Sequence, residues 1–153
     1  VVNSGYYYIA VGGFGGQCGS NTLRVQAVPA SNSVTTVGRP ASNALLDVST
    51  VGQANMVNIG CGGNAGDITR YWLLCPGVGG GTFSANTCTS FTNYDSVLAY
   101  RDGTTGATGC NDDGCGFRST MSAGVTAGPG IRAFYIDGWS TATGRAYTLY
   151  TIP

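Results

Sequence analysis

Ile131-Arg-Ala-Phe-Tyr-Ile-Asp-Gly-Trp139 is rich in aromatic and β-branched residues, shows no helical spacing of apolar positions, and stops at a glycine. It reads as a β-strand running into a turn. A related stretch, Tyr6-Tyr-Tyr-Ile-Ala-Val-Gly-Gly-Phe14, stands near the N-terminus. Gly13 matches Gly138, Phe14 matches Trp139, and a second glycine follows at the same offset, Gly19 against Gly144. Each copy then enters a further strand-like run, Thr22 to Val28 and Ala146 to Ile152. Strand, open turn, strand is the unit in both places, and the better reading is a repeat about one domain long.

Outward from this hairpin, short strand-like stretches recur at 45–49, 56–59, 68–74, 82–87, 96–100 and 119–123, separated by turns such as "CGGNAGD" and "PGVGGG". Regular short strands with glycine turns predict an all-β sandwich, with no helix. The intervening segment 30–43 is polar; "PASN" occurs at 29–32 and again at 40–43, and the two prolines that begin these copies cannot donate to a central ladder; the segment is a linker or an edge segment. The expected organisation is therefore a hairpin at 1–29, the tail of a preceding repeat, then the linker or edge at 30–43, then a complete copy at 44–153. An isolated hairpin is marginal in water. Tyr6, Tyr7, Tyr8, Ile9 and Val11 are accordingly expected either to extend their own sheet or to complete a neighbouring molecule by strand addition, which predicts self-association.

The composition is quiet electrostatically. The seven cations are all arginine, the seven anions all aspartate, and Lys, Glu and His are absent. Without a basic stripe or a lysine cluster, nucleic-acid and membrane-surface partners are disfavoured. No apolar run is long enough to span a bilayer, and no charged leader precedes one; the start at Val1 suggests a processed product or a piece of a longer precursor.

Six cysteines without CxxC pairs and without histidine point to disulfides rather than zinc, hence to an oxidising compartment. Spacing favours Cys110 with Cys115 across a tight turn, Cys75 with Cys88 across a strand connection, and Cys18 with Cys61 as the remainder. Other connectivities stay open on sequence grounds.

Catalysis is disfavoured by the missing bases: neither histidine nor lysine is present to activate a serine or cysteine. Adjacent Asp112 and Asp113 do not obviously face one cleft with Asp95 for glycosidic acid–base chemistry. The same oxygens suit a hard cation better. Asn111, Asp112 and Asp113 in "CNDDGC" could join Asp95 from "YDSVL" around calcium, the one cofactor the residues point to, although the spacing is not that of an EF-hand. The alternative is that these Asx side chains cap turn amides. Trp139, beside a turn glycine, is the most plausible exposed aromatic and the weakest of the candidate ligand contacts, for a sugar ring; a single exposed aromatic is ordinary on a protein surface.

Taken in order, "DITRYWLL", "NTCTSFTNYDSVLAYRDG", "GCNDDGCG", "AGPGIRAFYIDGW" and "GRAYTLYTI" resemble the bacterial pre-peptidase C-terminal domain and its CUB-like relatives. The specific part is "YDSVL" followed closely by "CNDDGCG", and the resemblance spans 44–153. It implies a secreted jelly-roll-like antiparallel β-sandwich without catalytic activity, usually appended to extracellular enzymes or strung in surface proteins. The absence of a peptidase domain and the partial copy at the start favour a structural or adhesive product assembling outside the cell by strand sharing. An accessory domain released from a secreted peptidase and a calcium-dependent carbohydrate-binding module are the alternatives.

Overall fold

The structure is a computed structural model and describes residues 34–36, 44–58, 60–74, 77 and 79–153. The N-terminal hairpin, including Tyr6, Tyr7, Tyr8, Ile9 and Val11, lies outside the described residues, as do Cys18 and Cys75.

The described chain is all-β, with β1 Val34–Thr36, β2 Ala44–Ser49, β3 Ile68–Leu74, β4 Gly81–Asn86, β5 Ser96–Asp102, β6 Thr108–Asn111, β7 Thr120–Val125, β8 Gly130–Gly138 and β9 Arg145–Thr151. They form two sheets, β1-β3-β8-β5-β6 and β2-β9-β4-β7. All pairings are antiparallel except the short parallel pairing of β1 on the β3 edge. From β2 onward the chain changes sheet at every connection but one, which is the jelly-roll order. The exception is the β5–β6 hairpin, whose connection is turned by Gly106 at φ 77°.

Strand alternation explains the layers. Trp72, Phe83, Leu98, Tyr100, Phe134, Ile136 and Tyr150 fill the space between the sheets. Phe83 is fully buried, with its ring centroid 5.3 Å from Trp72, 5.3 Å from Tyr100 and 5.2 Å from Phe134. Such aromatic packing dominates a small core. The opposite face of the five-stranded sheet is covered too: Val57 packs there with Ala99, Ala133 and Tyr135. This is why β5 and β8 read as nearly continuous apolar runs rather than alternating ones.

Val57 belongs to a strap, residues 50–58 and 60–67, that lies across that face. The sequence reads its 56–59 stretch as a strand, but residues 56–58 are not one. The carboxylate of Asp67 accepts the amides of Met56 at 2.6 Å and Val57 at 2.8 Å, so these donors are satisfied by a side chain and have no ladder to join. Ile59 lies outside the described residues.

The disulfide pairing expected from spacing is corrected. Cys61 bonds Cys110, with Cα atoms 5.9 Å apart, and Cys88 bonds Cys115, at 6.0 Å. The expected Cys110–Cys115, Cys75–Cys88 and Cys18–Cys61 pairs are therefore excluded. Side-chain direction is the reason. Cys110 pairs in register with Ala99 and shares its outer face, beneath the strap that carries Cys61. Past Asp113, at φ 57°, the chain has turned toward the β4–β5 connection, where Cys115 meets Cys88.

Candidate metal centre

Asp95 immediately precedes β5, and Asp112 and Asp113 immediately follow β6. Because these two strands are antiparallel neighbours, with Leu98 opposite Asn111, the start of one and the end of the other fall at the same end of the sheet. Pairing alone therefore brings together residues from two separate motifs.

One carboxylate oxygen from each of Asp95, Asp112 and Asp113 lies within 4.8 Å of the others. Asp95 and Asp112 are half-buried and Asp113 is exposed. One oxygen of Asp95 and one of Asp112 are buried and accept no hydrogen bond within the protein, an arrangement that ordinarily calls for a partner. Electrostatics agrees with the geometry. Burial first, then the neighbouring Asp113 carboxylate, pushes Asp95 above the usual carboxylate range. Burial, then the charges of Asp113 and Asp95, does the same to Asp112, against the lowering effect of the Asp113 amide.

Three negative groups crowded at one point need a framework, and the loop is tied at several places. The Cys88–Cys115 bridge holds its far side, Cys61–Cys110 its near side. The Ser96 amide donates to the Phe117 carbonyl at 3.1 Å, and the Cys115 amide to the Arg118 carbonyl at 2.8 Å. Asp113 occupies left-handed backbone at φ 57°, unusual for a residue with a side chain.

Asn111, the fourth candidate, plays another part: its side-chain oxygen accepts the Thr120 amide at 2.9 Å and so joins the end of β6 to β7. Trp139 comes close to the cluster from β8. Its amide donates to the Asp95 carbonyl at 3.0 Å, continuing the β5–β8 ladder, and the residue is 46% exposed. The ring lies against Gly62 of the strap, where a Cβ atom would sit 2.0 Å from it.

Sequence reasoning missed two buried ionic features. Arg132 and Asp102 are cross-strand partners facing the interior, 3.4 Å apart and 0% and 1% exposed. Asp67, at the end of the strap, and Asp137, beneath it, are buried on the opposite face of the same sheet. The signal was present in the polar interruptions of otherwise apolar strands.

Comparison of the chain with family models, with characterised proteins and with solved structures returned no match.

Proposed function

We propose that this chain is a non-catalytic, secreted structural β-sandwich whose loop end binds one calcium ion through Asp95, Asp112 and Asp113. The observation that carries the reading is the convergence of three carboxylates from two separate segments, with buried oxygens on Asp95 and Asp112 that no protein donor meets. All-oxygen donors of this kind suit a hard cation, and an irregular loop suits calcium better than the strict octahedron of magnesium. Backbone carbonyls and solvent supply the remaining ligands of a six- to eight-coordinate ion. Two disulfides are compatible with an extracellular setting, and the resemblance carried by "YDSVL" and "CNDDGCG" points the same way.

The chemical role of the ion is to neutralise repulsion and fix the loop. The hydroxyls of Thr87, Ser96 and Ser119 are bonded to one another or to backbone carbonyls in a fully buried network, an arrangement that supports a structural rather than a nucleophilic use. Assembly by strand sharing remains part of this reading. Among the described strands β7 ends the four-stranded sheet, and Thr120–Val125 carries neither charge nor proline to protect an edge. The test is calorimetric titration of the EDTA-treated protein with calcium and with magnesium: one calcium per chain supports the reading, and heats equal to dilution refute it.

A second reading, calcium-dependent binding of a neutral sugar, is favoured by the placement of half-exposed Trp139 next to Asp95. Retention on immobilised polysaccharide that is abolished by Trp139→Ala and by EDTA would support it over a purely structural role.

A further inference from the structure

Beneath the strap lies a carboxyl group that the calcium reading does not use. Asp137 is 6% exposed and sits on the outer face of β8, paired in register with Val97. Strap backbone rests directly on it: a Cβ atom added to Gly63 would lie 2.1 Å from one of its oxygens. The other oxygen accepts the Gly138 amide at 2.7 Å. Asp67, fully buried at the junction of strap and β3, holds the strap's own amides at Met56 and Val57 and acts on Asp137 as a like charge. The phenol of Tyr94, from the loop before β5, interacts with Asp137, and that of Tyr135 on β8 interacts with Asp67. Among the described residues Arg101 of β5 is the cation that acts on Tyr135.

We propose that Asp137 is a proton-operated latch, closing the strap on the five-stranded sheet when neutral and loosening it when ionised. The strap is the element able to respond. It has no ladder of its own: its start is pinned by Thr50 to Gly144, while its middle is held by an isolated bridge, Asn64 amide to Ser140 carbonyl at 2.9 Å and Ser140 amide to Gly62 carbonyl at 3.0 Å, and by the Ala65 amide on Asp137. The Cys61–Cys110 bridge keeps it from leaving altogether. Opening it removes Gly62 from beneath the Trp139 ring and uncovers the apolar face around Val57, Ala99 and Tyr135.

The direction of the response follows from the environment. Burial, and then the Asp67 charge, raise the Asp137 carboxyl to about 7, although the Gly138 and Ala65 amides oppose the shift. The closed state thus binds a proton more tightly than an open one, whose carboxyl titrates near 3.8. Closure is fully favoured below that value, weakens as pH rises toward 7, and levels off above it.

Amide hydrogen exchange on the whole chain, corrected for intrinsic rates, tests this. Protection of Met56, Val57, Asn64 and Asp67 is expected to fall by up to about tenfold per pH unit between pH 5 and 7 relative to β4 and β9, and to stay level in Asp137→Asn. Equal pH dependence in strap and reference strands, or in wild type and variant, would overturn the proposal. If the variant does not fold, carboxyl-carbon NMR of the wild type decides: a midpoint near 7 supports the latch, and one in the ordinary aspartate range refutes it.

Discussion

Asp95 and Asp112 stand at the same end of the β5–β6 pair, each with a buried carboxylate oxygen that accepts no hydrogen bond from the protein. Burial, and then the charge of Asp113, push both upward, and Asp95 adds to the shift of Asp112. Neutralising either one should therefore help the cation-free protein. Asp95→Asn is expected to melt at the same temperature as the wild type or a few degrees higher in EDTA at pH 7, and to show no response to calcium. Thermal melts with and without calcium measure both effects together.

The pH dependence of the calcium effect has a definite sign. Because Asp95 and Asp112 have folded values above the ordinary 3.8, their contribution to cation-free stability is present below that value and is lost as pH rises through the folded values. Calcium reverses the loss only where the carboxylates are ionised. The stabilisation by calcium should be large at pH 7 and negligible at pH 3.5, as read from paired melts.

Asp102 behaves in the opposite sense. Burial alone would raise it, but the amides of Thr104 and Thr105, the charge of Arg132 and the amide of Thr126 together hold it below 3.8. Its contribution is present above 3.8 and is lost as pH falls through its lower folded value. Arg132→Met leaves that buried carboxylate without its ionic partner and should cost about 3–5 kcal/mol, measured by urea unfolding at pH 7.

The disulfides can be tested by chemistry and by stability. Peptide mapping without reduction should recover Cys61 joined to Cys110 and Cys88 joined to Cys115. The first closes a 49-residue separation, so the Cys61→Ala, Cys110→Ala double variant should lose about 4 kcal/mol by loop entropy.

Gly62 has φ 85° and the Trp139 ring against it. Gly62→Ala must displace the ring, and a red shift of the emission from Trp139, isolated in a Trp72→Phe background, is the expected sign. An unchanged spectrum would show that the contact is not held in solution.

Much of the fold was legible in the sequence because most strands announce themselves. Ile68–Leu74 and the β8 stretch carry aromatic and branched residues in runs that no helix would accommodate. The strand β6, Thr-Gly-Cys-Asn, was not legible, since it has little strand propensity and exists by virtue of its pairing with β5. That same pairing is what assembles the aspartate cluster, so Asp95, Asp112 and Asp113 could be named from the sequence while their meeting point could not be derived. The role of Asn111 and the partners of Cys110 and Cys115 depend on which way the chain faces after Asp113, which residue types do not encode. Asp137 was hidden for a related reason: an aspartate near a strand end looks like a turn residue until the strap is seen above it.

The most direct test of the central claim is the melting temperature of the EDTA-treated protein at pH 7 with calcium added stepwise into the millimolar range. Saturation to about a hundred times the dissociation constant corresponds to roughly 2.7 kcal/mol, or about 5–10 °C for a chain of this size, and the account predicts that rise, absent in Asp95→Asn. A melting temperature that stays constant through millimolar calcium would contradict it.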